Sequence, residues 1–383
     1  MQTSRLEIDL MQLDANLTAI RQYVGPHTHV CGVVKADAYG LGAVAIANRL
    51  ANGGVDMLAV YSSDQAQELA EHDIDCPIFI LMPVRTIGRG SALWRMATRD
   101  NVHLTVQAPD HLEQINRIGQ SLGRRLPVHL HMDTGMSRAG LTPDQLDTAV
   151  ACFEKFTAIR IAGICTHFAA AENDPAFTAE QMQRFENALN RSRRMLPDDL
   201  IVHVANTFAT CRDRRYHQSM VRVGLGLYGY GPQLICSPAK GSDELAVRPI
   251  VRWVSRIVHV QRYNRGAYVG YNRTRQLTRP SILGVVPVGY GDGYPLALSN
   301  QSCVRLMVDA ATACITAPVL GQVNMDQIVV DLTDHPLPVG AEVELISNDD
   351  HAPHALHKLA AMAQSSCYEM FCRLSPKLPR RYL

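Results

Sequence analysis

The chain has 383 residues, 47% of them hydrophobic and 19% charged, enough to bury a large core in two domains or in one α/β barrel with an addition. Lys and Arg number 37 against 36 Asp and Glu, a formal charge of +1 with no long block of one sign, which turns the reading from nucleic acid and anionic membranes toward a small ligand. No uncharged apolar run approaches the roughly 18 residues that a membrane-crossing helix needs, and the start "MQTSRLEIDLMQLDANL" has no basic stretch followed by an apolar one, so a cytoplasmic protein is expected.

The first predicted element is the strand "RLEIDL", residues 5–10, which precedes the main repeat and can pair with a later β domain. From about residue 29, eight β-rich runs follow in order: "HVCGVV", "VDMLAVY", "CPIFILM", "NVHLTV", "PVHLHM", "IRIAGICTHF", "IVHVA" and "VRVGLGLYG". Between them lie segments of helical period, among them "LGAVAIANRLA", "DQAQELAEH", "PDHLEQINRIGQSL", "TPDQLDTAVACFEKF" and "TAEQMQRFENALNRSRRML". Strand–helix alternation of this length predicts a (β/α)8 barrel over residues 1–240. After the Pro-, Gly- and Ser-rich stretch "YGPQLICSPAKGSDELAVRP" the pattern changes to β runs, "IVRWVSRIVHVQRY", "SILGVVPVGY", "CVRLMVDA", "QIVVDL" and "EVELIS", with one short helix in "HALHKLAAMAQ". Residues 241–383 therefore read as a second, mainly β domain. The ten cysteines lie scattered, mostly in apolar runs, without CxxC pairs or zinc-ligand spacing; they read as reduced core thiols, and no metal is expected.

The stretch "CGVVKADAYGLGA" carries the first chemical signal. Barrel chemistry sits where strands end and loops begin, and Lys35 falls at the C-terminal end of the first barrel strand. An amine there, flanked by Val33, Val34 and Ala36, can lose proton affinity by desolvation and attack a carbonyl, forming a Schiff base with an aldehyde substrate or with pyridoxal phosphate. The bland alternative is a strand-end lysine that snorkels to solvent. Where the eighth strand candidate ends, "MVRVGLGLYGYGP" places Gly224, Gly226 and Gly229 where backbone N–H groups can cradle a phosphate, although turns use glycine as well.

These two stretches, with "HMDTGMSRAG", "CTHFAAAE", "HVANT", "YVGYNRT", "VGYGDGYP", "VNMDQ" and "YEMFCRLSPKLPRRY", resemble the alanine racemase family of fold-type III pyridoxal phosphate enzymes, in order from about residue 5 to the C-terminus. The resemblance implies the cofactor pyridoxal 5'-phosphate on Lys35, whose amine also serves as one of two catalytic bases. Tyr271 of "VGYNR" matches the second base, which acts on the opposite face of the substrate and comes from the other subunit of a homodimer. Inversion removes a proton from one face and returns it to the other, so a lysine and a tyrosine can exchange roles for the two enantiomers. A phenol with a pKa of about 10 needs a hydrogen-bonding or cationic neighbour to act near neutrality, and the resemblance supplies His167, linked onward to Arg222. Arg222 would face the pyridine nitrogen and, staying charged, weaken the ring as an electron sink, which favours racemisation over transamination. His203 would support Arg222. The phosphate would be held by Tyr39, Thr207 beside Asn206, the backbone at Gly224 and Leu225, and Tyr368. The substrate carboxylate would meet Arg138 and the Met325 amide of the partner subunit, and Tyr290, Tyr368 and Asp326 would narrow the entrance in favour of alanine. The product would be D-alanine for the cell wall, made without nucleic-acid or membrane partners.

One departure is His131, which stands where many family members carry a carbamylated lysine that fixes the carboxylate-binding arginine. Histidine supplies no comparable fixed anion, so serine or a broader set of amino acids enters as an alternative substrate. A non-catalytic carrier of pyridoxal phosphate is a further alternative, though it has no need of a second domain bearing Tyr271 and Met325. Metal-dependent aldolase chemistry lacks its ligand cluster, and a decarboxylase of this fold type would carry a carboxylate in place of Arg222.

Overall fold

The structure is a computed structural model and describes residues 3–235, 245–307 and 315–383. It divides into two compact units, one of Asp14–Ala38 and Gly42–Val247, the other of Met1–Leu13, Tyr39–Leu41 and Arg248–Leu383. The expected boundary at residues 240/241 lies outside the described residues, as do Cys236 and Cys314. The other eight cysteines are all free thiols, Cys372 being the exposed one. Among the described residues no helix is long and apolar enough to cross a membrane.

Strand β1 (Arg5–Ile8) is shorter than the predicted 5–10, because the Asp9 carboxylate accepts from the Gln12 N–H at 2.8 Å and opens a helix over Leu10–Val24. Eight strands then form one parallel sheet: β2 (His29–Val33), β3 (Met57–Val60), β4 (Ile78–Ile80), β5 (Val102–Val106), β6 (Leu126–His131), β7 (Ile159–Cys165), β8 (Ile201–His203) and β9 (Met220–Val223). The order β8-β7-β6-β5-β4-β3-β2-β9 runs almost round the circle. Hydrogen bonds from Ser219 N to Val202 O and from Arg222 N to Ala205 O bring its two ends together, so this unit is a nearly closed (β/α)8 barrel. Each predicted run contains one strand, since strands covered on both faces read as continuous apolar stretches.

The barrel interior is less uniformly aliphatic than usual. Cys31, Val33, Met57, Ala59, Phe79, Cys165 and Met220 cluster there, but His103, Thr105, His129, His203 and Arg222 are also buried on strands of the barrel. The register of β6 against β7 shifts between Val128 and His129, which pair with Ile161 and Gly163, so β7 carries one extra residue there.

The other unit is built on a nine-stranded sheet. Beyond the barrel strands the chain adds β10 (Val251–Arg256), β11 (His259–Tyr263), β12 (Tyr268–Val269), β13 (Arg275–Gln276), β14 (Ser281–Val286), β15 (Cys303–Leu306), β16 (Thr316–Leu320), β17 (Ile328–Asp331), β18 (Glu342–Ile346) and β19 (Arg380–Tyr382). Strand β1 runs antiparallel to β10 and parallel to β19, with Leu6 opposite Trp253 and both side chains fully buried. The run "IVRWVSRIVHVQRY" is two strands rather than one, and the C-terminal stretch holds a second short helix, Cys367–Cys372.

Candidate active site

Lys35 stands two residues past the end of β2, at the C-terminal edge of the barrel, and is partly buried. The residues after it form a left-handed turn: Ala36, Asp37, Ala38 and Tyr39 have φ of 52°, 57°, 50° and 59°, and Gly40 has 82°. Within the barrel unit the turn is closed by hydrogen bonds from Ala38 N to Val34 O (2.9 Å) and from Gly42 N to Asp37 O (3.0 Å), and the Asp37 carboxylate accepts from Ala43 N at 2.6 Å. A regular helix then runs over Ala43–Asn52, two residues later than the predicted start.

Arg222, on β9, is 6% exposed. Its Nη1 donates to His203 Nδ1 and to the His203 carbonyl, both at 2.8 Å, and its Nη2 donates to the Thr166 carbonyl (2.9 Å), the Val204 carbonyl (3.4 Å) and His167 Nδ1 (3.3 Å). Among the described residues no carboxylate balances this cation; the groups of acidic character that act on it are the thiols of Cys165 and Cys31. His203 is fully buried and His167 partly so. Burial first, then the positive charges of Arg222, Arg138 and Lys35, hold His167 well below the ordinary imidazole range, so this neutral ring sits among three cations.

Arg138 lies on the exposed loop between β6 and the helix Pro143–Ala151, and no carboxylate pairs with it among the described residues. Asp133 shapes that loop by accepting from the N–H groups of Gly135, Met136 and Ser137 at 2.9–3.1 Å. His131 closes β6; burial, then Arg222 and Arg138, push it down to about 4, and Gln107 Nε2 donates to its Nδ1 at 3.3 Å. It is a neutral imidazole and brings no negative charge to Arg138.

Past β9, the Gly226 N–H donates to Thr207 Oγ1 at 3.3 Å, which leaves the hydroxyl proton free to donate elsewhere. A Cβ at Gly226 would lie 2.9 Å from Val223 Cγ1 and 3.0 Å from Thr207 Cγ2, so only glycine lets this loop, with Gly224 and Leu225, close on Thr207. Asn206 caps the helix Thr207–Arg212 through Ala209 N (3.0 Å). The barrel unit thus gathers Lys35, Arg138, His167, His203, Asn206, Thr207, Arg222, Gly224 and Leu225 toward the C-terminal ends of its strands. A buried cation without an acid partner, a hydroxyl and a glycine cradle beside a lysine suit a phosphorylated aldehyde such as pyridoxal phosphate.

The other unit holds three separate groups. Tyr39 is buried and its ring lies 5.8 Å from that of Tyr368; burial pushes its phenol up, so it stays a protonated donor. The Gly40 carbonyl accepts from Arg380 Nε (3.1 Å) and Nη2 (2.8 Å), and the Leu41 carbonyl from the Tyr382 hydroxyl (3.0 Å). The sequence had offered no role for Arg380 or Tyr382 beyond their place in the "LPRRYL" ending. The second group is Tyr290, Met325 and Asp326: Tyr290 N donates to Asn324 O (3.0 Å) and Gly291 N to Met325 O (2.9 Å), which zips the two loops together and leaves all three side chains exposed. Tyr271 stands apart, 67% exposed, on a turn between β12 and β13 where Gly270, Asn272 and Arg273 all have positive φ.

The N-terminal domain model of alanine racemases matches residues 8–232, and the C-terminal domain model matches residues 250–382. The alanine racemase of Synechocystis is 34% identical over 386 residues, covering 99% of this chain and 98% of its own, and that of Halothermothrix orenii is 32% identical over 380 residues, covering 98% and 96%. Among solved structures, the alanine racemase of a D-cycloserine-producing Streptomyces lavendulae superposes with a TM-score of 0.88 at 26% identity, covering all of this chain and 97% of that one. The alanine racemase of Bartonella henselae, solved with covalently bound pyridoxal phosphate, gives 0.81 at 26% identity, with both chains fully covered.

Proposed function

This chain belongs to the alanine racemase family, and from that premise we propose that it interconverts L- and D-alanine with pyridoxal phosphate held on Lys35, as a homodimer whose active sites take residues from both subunits. The observation that carries the reading is Arg222: a buried guanidinium held by two neutral imidazoles and three carbonyls keeps its full positive charge, which is what is wanted opposite a pyridine nitrogen that must stay unprotonated. A carboxylate there would instead favour a protonated ring and a stronger electron sink.

Pyridoxal phosphate, when bound, would supply the electron sink that acidifies the substrate α-proton. Thr207, the Gly224–Gly226 backbone, Tyr39 and Tyr368 would hold the phosphate. Arg138 would bind the substrate carboxylate, with the Met325 amide from the partner subunit. Lys35 Nζ takes or returns the α-proton on one face, and the phenol oxygen of Tyr271 of the partner subunit does so on the other. Because Arg222 can only donate, His167 Nδ1 accepts, and the neutral ring carries its proton on Nε2. That N–H is the donor which would stabilise the Tyr271 phenolate. The exposure of Tyr271, Met325 and Tyr290 in one chain, at 67%, 55% and 46%, supports a site completed by a second copy.

A second reading keeps the chemistry and widens the substrate. With His131 neutral and no carboxylate on Arg138 among the described residues, none of these locks the carboxylate reader in one pose by charge, which favours tolerance of serine and larger side chains. A cofactor carrier without turnover is disfavoured by the match over residues 250–382, the part that carries Tyr271 and Met325.

The test is α-proton exchange in deuterated water, followed by NMR with each enantiomer of alanine, then serine and lysine, and with Lys35→Ala as control. Fastest exchange and inversion of alanine, abolished in Lys35→Ala, is the expected result. Preference for another amino acid would select the second reading, and no exchange with any of them would refute both.

A further inference from the structure

Three histidines of the barrel core do not touch the site's surface, yet they end on its central cation. His203 Nε2 lies 2.8 Å from His129 Nδ1, and His129 Nε2 lies 2.8 Å from His103 Nδ1. His129 and His203 are fully buried and His103 is nearly so. Together with the bond from Arg222 to His203, this makes an unbroken file of side chains through the barrel, from β9 across β8 and β6 to β5.

The chemistry of the first member fixes the direction of the rest. A guanidinium has only donors, so His203 Nδ1 must accept. A neutral imidazole has one donor and one acceptor, so His203 Nε2 carries the proton and donates to His129 Nδ1, and His129 Nε2 in turn donates to His103 Nδ1. An imidazolium anywhere in the file would set two N–H groups against each other. Burial, which disfavours the charged ring, agrees with this by holding all three below the ordinary imidazole range.

The surrounding backbone is shaped for the file. A Cβ at Gly163 of β7 would lie 2.3 Å from His129 Nδ1 and 2.7 Å from its Cε1, so the glycine is the slot into which the ring fits. The register shift between β6 and β7 sets Gly163 opposite His129, and Phe79 packs on His129 at 4.6 Å and edge-on to His203 at 5.4 Å.

We propose that His129 and His103 are positioning residues for the racemase reaction, acting through His203 to anchor Arg222 without neutralising it. The proposal rests on the racemase reading above. Each donor bond down the file makes the ring before it a better acceptor, so Arg222 is gripped as a carboxylate would grip it while its positive charge stays uncancelled. What this protects is the destination of the α-proton. With Arg222 loosened, bound pyridoxal phosphate would supply a stronger electron sink, and the side reaction would be a balanced exchange of amino for oxo group, alanine and the cofactor aldehyde giving pyruvate and the cofactor amine.

Two readouts test this. In cofactor-free, full-length protein labelled with 15N-histidine, NMR should show His103, His129 and His203 each protonated at Nε2 alone, and Arg222→Leu should mix or reverse those tautomers. Nδ1 protonation in the native protein, or an order unmoved by Arg222→Leu, overturns the proposal. In the loaded enzyme, His129→Leu should raise the pyruvate formed per inversion of alanine on the order of tenfold, the effect of one buried donor left without an acceptor. His129→Gln, which keeps an acceptor and a donor, should stay near the native ratio, and Gly163→Ala, which alters no polar side chain but displaces the ring, should behave like His129→Leu. An equal ratio in the Leu, Gln and native proteins overturns the proposal. Absence of α-proton exchange in the native protein would instead refute the racemase reading, with the tautomer order judged by NMR on its own.

Discussion

Acidification from about pH 7 to about pH 5 should destabilise the barrel, chiefly through its buried histidines. His103 and His131 are pushed down to about 4, in both cases chiefly by burial, whereas an imidazole of the unfolded chain titrates near 6.5. Between those values the unfolded chain binds a proton that the folded chain does not, so stability falls as the pH falls through 6.5 and goes on falling to about 4. Each of the two groups then costs about 2 kcal/mol at pH 5 relative to pH 7, about 4 kcal/mol together. His129, His167 and His203, also buried and also held low, act in the same direction. Against a domain stability of about 5–15 kcal/mol this is a large fraction.

The assay is urea unfolding of the cofactor-free protein, followed by far-UV circular dichroism at pH 7, 6 and 5. The Glu344 carboxyl serves as an internal separator. Burial pushes it up, but hydrogen bonds from His354 and Ser347, with Arg252, more than offset that and hold it at about 2. Its contribution is present above its unfolded pKa, about 4.3, and is lost only as the pH falls below that toward 2, outside the histidine window. His103→Gln should remove about 2 kcal/mol of the pH 7 to 5 dependence. An unfolding midpoint that does not move between pH 7 and pH 5 would refute the reasoning, because it would mean that these rings are not buried in neutral form.

Two further predictions concern the reaction. Tyr271→Phe should slow inversion by about a hundredfold or more, the usual weight of a general base, while α-proton exchange without inversion persists for one enantiomer only; NMR in deuterated water distinguishes this from equal, small losses, which would remove Tyr271 from the mechanism. Gly140→Ala should raise the KM for alanine on the order of tenfold, because Gly140 has a φ of 127° and an added Cβ would lie 2.5 Å from Asp133 N, forcing the loop of Arg138 to move; an unchanged KM in initial-rate measurements would separate that loop from substrate binding.

The same feature made the barrel strands legible and hid part of the site. Strands buried on both faces show continuous apolar runs, so all eight could be found. The absence of alternation, however, leaves unmarked which side chains face inward. "NVHLTV", "PVHLHM" and "IVHVA" display His103, His129 and His203, but that they share one interior follows only from barrel closure, the register shift between β6 and β7 and the slot at Gly163. The helix over Pro109–Leu122 was readable to the residue because a proline opens it and Gly123, at φ 65°, closes it. The Arg380 clamp on Gly40 joins positions 340 residues apart, a separation at which no local pattern exists.

The left-handed turn after Lys35 explains the composition of its stretch. Four consecutive non-glycine residues at positive φ, Ala36 to Tyr39, cost about 1–2 kcal/mol each, about 4–8 kcal/mol in all. A branched side chain would add to that cost, and the sequence places Ala, Asp and Ala there. The fourth residue, Tyr39, is the large one; its ring is buried beside Tyr368, and the carbonyls of Gly40 and Leu41 are held by Arg380 and Tyr382. Asp37 contributes through its side chain, which accepts from Ala43 N at the start of the following helix. At Gly40 a Cβ would lie 2.8 Å from the Phe371 carbonyl oxygen, so that position admits only glycine. The apolar strand ends in a lysine and small residues because the chain must reverse its handedness at once, which bulky or branched side chains would make costlier still.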